Sequence, residues 1–324
     1  MDSALRGDGR KATRVLVLGG YGFIGRHAVT ALRAAGCQVR IGSRQPYRHA
    51  PDGLADLPCT ALRFERLLRA TDWLPLLGDA EVVLNCVGIL RPRWGESYDA
   101  VHHRAPAALA EACRDSGRRL VHVSALGLTG ELRSGFLRSK RDGEAAIRAI
   151  GGDWCIVRPS LLDAEQGGFG ARWVRRVARW PVHALPRDAR GRIAALRVED
   201  LGAALAALAQ RETLDGPEAD AREFDLGGIH ALTMTELLAA VRRLHTPSPS
   251  LSLGVPPWLA RVVAHACDAL HLTPYSYGHL ELLRRDNCPR RNRLPELLGR
   301  APLPVGVVMV PAKVTPTATP VAAG

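Results

Sequence analysis

The sequence predicts an α/β fold, an open, doubly wound parallel sheet with helices on both faces and a small, mostly helical C-terminal cap. Three observations carry this. Short β-branched runs alternate with amphipathic helical patterns through the first half of the chain. The first run ends in a glycine-rich turn, Gly19-Gly-Tyr-Gly-Phe-Ile-Gly25, that opens directly into a helical pattern. After Arg158 the texture changes and helical segments dominate.

In order, residues 15–18 are expected as the first strand and 23–35 as a helix, then 38–41 and 60–64 as the second and third strands. A short helix at 71–77 precedes a fourth strand at 81–85 and a helix within 99–116. The fifth strand is expected at 120–123, a helix at 138–150 and the sixth strand at 154–157. Beyond them helices are expected at 171–180, 198–211, 233–245, 257–271 and 277–285, with one short strand at 223–226. This gives a disordered N-terminus (1–13), a sheet domain (14–160), a smaller part that caps the cleft and returns to the sheet (161–303), and a flexible Pro-, Val- and Thr-rich tail (304–324).

With 324 residues, 47% of them apolar, the chain can bury a substantial core. No apolar run approaches the roughly 20 residues that span a bilayer, and residues 1–14 are polar, so neither a transmembrane helix nor a signal peptide is expected. The reading is cytoplasmic, with a membrane-peripheral placement left open. Seven scattered cysteines without a C-x-x-C pair point to reduced thiols and no metal site. The net charge of +12 is carried almost wholly by arginine, the lysines being Lys11, Lys140 and Lys313. No zinc-finger, RNP or helix-turn-helix signature accompanies it, so nucleic acid is not the expected partner; a membrane surface or an anionic ligand suits the charge at least as well.

The glycine turn is the strongest motif. Gly19, Gly20 and Gly22 give a tight turn whose main chain a pyrophosphate can approach. The amides of Tyr21, Phe23 and Ile24 lie at the helix start, where the dipole favours an anion, and Gly25 lets the helix pack close to the sheet. This is the phosphate-binding turn of a Rossmann dinucleotide-binding domain. Sites that choose NAD place a carboxylate at the end of the second strand. Here that strand ends Ile41-Gly-Ser-Arg-Gln, with no acid before Asp52. Arg44, with Ser43 and with Arg48 in support, is placed to pair with a 2′-phosphate, so NADP(H) is favoured over NAD(H). Glu65 is the one acidic residue near the third strand, and adenine contacts are not assigned.

Further segments follow in order: Asn85-Cys-Val-Gly-Ile-Leu90, Val121-His-Val-Ser-Ala-Leu-Gly127, Arg138-Ser-Lys-Arg-Asp-Gly-Glu144 and Val157-Arg-Pro-Ser160. With the turn, they resemble the extended or atypical short-chain dehydrogenase/reductases. The chain is most similar to the branch of NAD(P)-binding proteins related to the 39-kDa subunit of respiratory complex I. Late features, Leu282-Leu-Arg-Arg-Asp-Asn287 and Leu297-Leu-Gly-Arg-Ala-Pro302, favour that branch. The resemblance runs over about residues 14–304 and is most specific in the first half.

The resemblance implies a catalytic Ser, a Tyr, and a Lys four residues after the Tyr, the phenol moving a proton while hydride moves at the nicotinamide. Ser124 matches the serine and Lys140 the lysine, but Phe136 stands in the Tyr position and His102 where the family's supporting Asn is expected. A phenyl ring has no proton to give. No other tyrosine is close in sequence; Tyr98 is the nearest, and Tyr275 and Tyr277 lie far along the chain. His102 and His103 are read as structural, with a proton-shuttle role the alternative. By the same resemblance Asn85, Cys86, Val87 and Gly88 line the sugar and phosphates, and Arg158, Pro159 and Ser160 border the nicotinamide.

One segment stands apart. In residues 169–181, Trp173, Val177 and Trp180 share a helical stripe, with Arg172, Arg175, Arg176 and Arg179 around it. The first reading packs the Trp stripe on the sheet; the alternative is an interfacial helix. Three functions are carried forward. The first is an NADP(H)-binding protein whose cofactor is structural, sensory or in slow redox use, with a quinone or isoprenoid among the candidate ligands. The others are an active reductase or epimerase/dehydratase with a relocated proton donor, and a peripheral membrane or respiratory-complex assembly factor.

Overall fold

The computed structural model describes residues 11–307 apart from 47–49, 94, 213–218, 247, 271, 272 and 274. Strand β1 (Arg14–Leu18) leads through the glycine turn into α1 (Phe23–Ala34) and β2 (Gln38–Ser43). There follow β3 (Cys59–Ala61), α2 (Ala70–Leu77), β4 (Val82–Asn85), α3 (Ala105–Asp115), β5 (Arg119–Val123), α4 (Gly135–Ile150) and β6 (Trp154–Pro159). The second half carries β7 (Leu162–Asp163), α5 (Phe169–Ala178), β8 (Val182–Pro186), β9 (Arg192–Ile193), β10 (Leu196–Arg197) and α6 (Val198–Gln210). It continues with α7 (Ala219–Arg222), β11 (Glu223–Leu226), β12 (Leu232–Thr233), α8 (Met234–Arg242), β13 (Leu251–Val255), α9 (Pro257–Leu270), α10 (Tyr277–Leu283) and α11 (Leu294–Leu298).

The main sheet has seven strands in the order β11-β6-β5-β4-β1-β2-β3, all parallel. Strand β1 shows why it is buried on both faces. Val15 and Val17 meet Val29 and Leu32 of α1 and Leu201 of α6, whereas Leu16 and Leu18 meet Trp73, Leu77 and Leu109 of α2 and α3. With no polar alternation, such a strand is stable only when helices cover both sides. The chain leaves β1 toward β2 and re-enters at β4 on the other side, which opens a crevice at the carboxyl ends of β1 and β4.

The expected elements of the first half are present, with shifted edges. The third strand ends at Ala61, and Phe64–Arg66 forms a one-turn 3-10 helix. The helix within 99–116 is split: Ala100–Arg104 is a π-turn and α3 begins at Ala105, because Pro106 has no N–H for the backbone ladder. Helix α4 starts three residues earlier than expected, capped by the Ser134 hydroxyl, which accepts from Leu137 N–H at 3.3 Å. Phe136 and Lys140 therefore lie on one helix, one turn apart.

The second half is richer in strands than its sequence suggested. The expected strand at 223–226 is the seventh strand of the main sheet, beside β6. Three further pairs appear, β7 with β10, β9 with β12 and β8 with β13. The first two are two residues long, too short to show a period, and β8 and β13 contain Pro186 and Gly254, which weaken a strand pattern. At the ends, Ala12 is buried and the Thr13 carbonyl accepts from Gln38 N–H at 2.9 Å, so part of the expected disordered N-terminus joins the sheet. Val305 is buried and Val307 N–H donates to Ala240 at 2.9 Å, so residues 304–307 dock on α8 rather than starting a loose tail. The remainder of the expected tail lies outside the described residues.

Candidate functional site

The carboxyl ends of β1, β2, β4 and β5 gather most of the residues expected at the site. Gly19 N–H donates to Gly42 at 2.8 Å and Gly22 N–H to Gly19 at 2.8 Å, closing the turn; Gly19 has φ +73°. A Cβ at position 25 would stand 2.1 Å from the Gly19 carbonyl oxygen, so only glycine lets the helix begin this close to the turn. Gly22 is the N-cap of α1, no side chain caps it, and no acid occupies the first turn. Its amides are left to an external anion. The Phe23 ring does not face that anion; it packs on Ala164, Ala171 and Val198. Tyr21 and Ile24 pack against the core on the α1 side.

Beside the turn, Cys86 N–H donates to Leu18 at 3.1 Å, and Val87 Cγ2 lies 3.2 Å from where a Gly19 Cβ would be. The Asn85 side chain is fully buried and committed to the protein. Its Oδ1 accepts from Val87 N–H at 3.0 Å, and its Nδ2 lies 3.1 Å from His122 Nδ1. Asn85 thus shapes the loop rather than presenting its amide to a ligand. An amide nitrogen only donates, so His122 Nδ1 is an acceptor and the ring is neutral. Burial, with Lys140 nearby, pushes His122 down to about 3. The Cys86 thiol, raised to about 12 by burial, is not a nucleophile.

His102 is held in the same way. Its Nε2 accepts from Ile89 N–H at 3.1 Å, which places its proton on Nδ1, 3.0 Å from Ser139 Oγ; that hydroxyl donates to the Phe136 carbonyl at 3.0 Å. Every polar atom of the ring is used, and burial together with Lys140 holds it well below the ordinary histidine range. His102 ties the loop after β4 to α4. His103 makes a 2.8 Å surface contact with Asp99.

At the end of β2, Arg44 is 55% exposed and forms an ion pair with Glu96, whose own side chain is buried and also accepts from Arg93 N–H at 3.2 Å. Ser43 lies beside it, its hydroxyl 3.4 Å from Gln45 N. Glu96 was not legible as a partner because 52 residues separate it from Arg44. Arg48 falls outside the described residues, and Glu65 sits in the 3-10 turn beyond β3.

Ser124 follows β5, its N–H bonded to Val157 at 2.8 Å. Its hydroxyl is buried and has no partner among the described residues. Lys140 Nζ stands 5.7 Å over the Phe136 ring and close to Gly88, and burial pushes it down to about 8 against a weaker upward pull from Glu144. Phe136 borders a cavity of about 270 Å³ lined by Tyr98, Ser134, His265, Asp268 and Tyr277 among others. The fold therefore brings Tyr277 to the same cavity and Tyr98 to the Phe136 ring. The Tyr98 ring lies 6.0 Å from it, but its phenol donates to Leu90 at 2.8 Å and is raised to about 12 by burial and by Asp268. His279, stacked 6.2 Å from Phe136, is neutral, lowered to about 4 by burial and Arg91.

Two expected neighbours of the nicotinamide face elsewhere. Arg158 points into a buried ion cluster, bonding Glu144 at 2.9 Å and Asp225 at 3.1 Å, because alternation along β6 turns it away from Val157 and Pro159. Ser160 donates to Asn287 at 2.7 Å, and Asn287 Nδ2 donates to Leu126 at 3.2 Å, fixing the loop after β5; Pro159 is buried between them in the chain. Glu281 of α10 was not anticipated. Its carboxylate accepts from Arg133 N–H and Ser134 N–H, both at 2.9 Å, and so anchors the start of α4. Glu281→Ala strands one buried and one part-buried donor and is expected to cost about 1–3 kcal/mol, read as a lower urea midpoint at unchanged slope. Restoration of full stability by the alanine variant would show that these bonds contribute nothing.

Helix α5 also departs from expectation. Its inward side chains are the buried Ala171 and Ala178 with the partly buried Val174 and Val177, so Val177 of the expected stripe packs inward, whereas Trp180 is 48% exposed with its ring on Trp173. Arg175 is not solvated; it makes a two-point ion pair with Asp163 at 2.7 and 2.6 Å. Among the described residues, no helix is long and apolar enough to cross a membrane.

The profile of the NAD dependent epimerase/dehydratase family matches residues 15–219. A ceramide reductase of Caulobacter vibrioides is 30% identical over 85% of this chain and 86% of its own length. Subunit 9 of the NADH dehydrogenase [ubiquinone] 1 alpha subcomplex, a mitochondrial protein of Dictyostelium discoideum, is 26% identical over 68% of this chain, which spans 61% of that relative. Among solved structures, MoeE5 in complex with UDP-glucuronic acid and NAD superposes with TM-score 0.61 at 21% identity, covering 90% and 94% of the two chains. The Thermus thermophilus UDP-glucose 4-epimerase complex with NAD gives TM-score 0.56 at 22% identity, covering 76% and 87%. These two likenesses concern the fold.

Proposed function

The chain belongs to the NAD dependent epimerase/dehydratase family, and from that premise we propose that it is an NADP(H)-dependent carbonyl reductase of low intrinsic turnover. The substrate class we propose is a carbonyl carried on a long-chain lipid related to ceramide. The carrying observations are a buried Ser124 hydroxyl without a partner among the described residues and a buried Lys140 amine beside Phe136, whose ring borders an aromatic-lined cavity.

The residues present fit a dinucleotide. The uncapped start of α1 would take the pyrophosphate, the loop from Cys86 to Gly88 the sugar, and Arg44 a 2′-phosphate. A reduced nicotinamide, when bound, supplies the hydride. Ser124 donates a hydrogen bond to the substrate oxygen, where negative charge grows. Lys140, with no phenol between itself and that oxygen, gives the proton and recovers it from solvent. His102 has no proton to offer, both its ring nitrogens being bonded to the protein, and His122 is a neutral ring whose Nδ1 accepts from Asn85. Support for the lipid class comes from the relative whose two-way coverage is 85% and 86%.

The test is isotopic. With NADPH deuterated at C4, a ceramide-class ketone should gain one deuterium on reduction, seen by mass spectrometry. Absence of label from either face of the cofactor, with binding of NADPH intact, would remove the reductase reading and leave the dinucleotide structural. The Lys140 role adds a pH dependence. The ammonium form dominates below about 8, so kcat/KM is expected to be flat below that value and to fall as pH rises through it. A profile still flat at pH 10 would assign the proton to another group.

A further inference from the structure

The geometry points to the outer face of α9 and of the β8–β13 ribbon as a docking surface for an anionic lipid bilayer. Helix α9 buries only Ala260 and Ala264. At 3.6 residues per turn, the opposite face carries Trp258, Leu259, Val262, Val263 and Leu270, and all five are exposed, Trp258 to 67% and Leu270 to 63%. Charged and polar side chains of the helix, Arg261, His265 and Asp268, lie together on one flank, so the outward face is wholly apolar. A soluble surface helix normally has the reverse arrangement.

The ribbon continues this face. Val182 pairs with Leu251 and Ala184 with Leu253, so their side chains share one side, and Val182, Leu251 and Leu253 are exposed. The other side, with buried His183 and with Leu185, covers the core under α5 and α8. Val255, at the end of the exposed side, packs with Ala260 of α9, which joins ribbon and helix into one surface.

Charge selects the occupant. Arg172, Arg176 and Arg179 of the α5 segment, which leads directly into β8, Arg187 after β8 and Arg261 of α9 are exposed and in no ion pair among the described residues. The carboxylates of the α9 and 187–190 segments, Asp268 and Asp188, are taken by Arg91 and Arg284. An apolar face rimmed by unpaired arginines matches lipid tails beneath anionic headgroups. A second copy would set two arginine rims against each other, which disfavours self-association. His265 and Asp268 also line the cavity beside Phe136, so the docked face is next to the site. The surface stands whether or not the chain is a reductase.

The test is co-sedimentation of the full chain with phosphatidylcholine vesicles, with and without phosphatidylglycerol. Binding is expected to require the anionic lipid and to weaken at high salt. Because Leu251 and Val262 are exposed, Leu251→Glu with Val262→Glu leaves the core intact and is expected to lower vesicle affinity at least tenfold, with NADPH binding unchanged. Arg176→Glu with Arg179→Glu should give a loss of similar size. Equal binding by the glutamate variants, equal binding to neutral vesicles, or a dimer in solution that the Val262→Glu change dissociates without vesicle binding would each overturn the proposal.

Discussion

Phe136→Tyr is expected to raise the rate of carbonyl reduction by about 10²–10⁴-fold, the contribution a positioned general acid makes. The position is already prepared. Phe136 lies one helical turn before Lys140, whose ammonium stands 5.7 Å over its ring, and the ring borders the cavity. A phenol there would meet a cation that lowers its pKa toward the working range, whereas burial raises that of Tyr98 to about 12. The change adds one oxygen at the edge of a 270 Å³ cavity, so it need not overpack the core. Rates are read as NADPH consumption with a ceramide-class ketone in mixed micelles. If Tyr98 were instead the working donor, Tyr98→Phe would abolish the wild-type rate and Phe136→Tyr would add little; that pattern would move the proton path to the loop after β4.

Lys140 also leaves a trace in stability, and its sign is opposite to that of a paired lysine. Burial lowers its folded pKa to about 8 from the ordinary 10.5. Between these values the unfolded chain binds more protons than the folded one, so stability rises with pH across that window. Below about 8 both states are protonated and the cost of burying the charge is constant. Lys140→Met should remove the rise.

The sheet was legible because strands buried on both faces read as unbroken apolar runs, and because the glycine turn marks where β1 meets α1. Six strands of the cap region were not, since β7, β9, β10 and β12 are two residues long and have no period, β8 contains Pro186, and β13 exposes nearly every side chain. At the site, Ser124, Lys140 and Phe136 could be read from spacing along the chain. What could not be read was commitment. Asn85, His102 and Arg158 are polar residues at expected positions, yet hydrogen bonds across the fold have already taken their polar atoms. The partners that decide this, His122, Ser139 and Glu144, look like ordinary polar positions in sequence. Glu96 and Glu281 lay hidden for the same reason, each meeting its partner across more than fifty residues. The α5 segment misled because its tryptophans outweigh its alanines on a hydrophobicity scale, while the inward side is made by Ala171, Val174, Val177 and Ala178.

Arg44→Ala is expected to weaken NADPH binding by about 10–100-fold and NADH binding by less than threefold, as read by calorimetry. The size follows from charge-assisted hydrogen bonds of about 1.5–3 kcal/mol each, at about 1.4 kcal/mol per tenfold. Arg44 is not idle in the protein. Its guanidinium is shared with Glu96, and a 2′-phosphate must either displace that carboxylate or bind beside it. The guanidinium has five donors in a planar fork, enough for both partners, and its 55% exposure leaves one edge open. The buried carboxylate nonetheless repels a phosphate dianion at close range, so Glu96→Gln is expected to tighten NADPH by about 3–10-fold without helping NADH. Opposite signs at two residues in contact are hard to obtain from misfolding, which would weaken both nucleotides in both variants. Equal losses of NADPH and NADH in Arg44→Ala would instead assign the arginine to the ribose hydroxyls and make the Arg44–Glu96 pair an NAD(H) device.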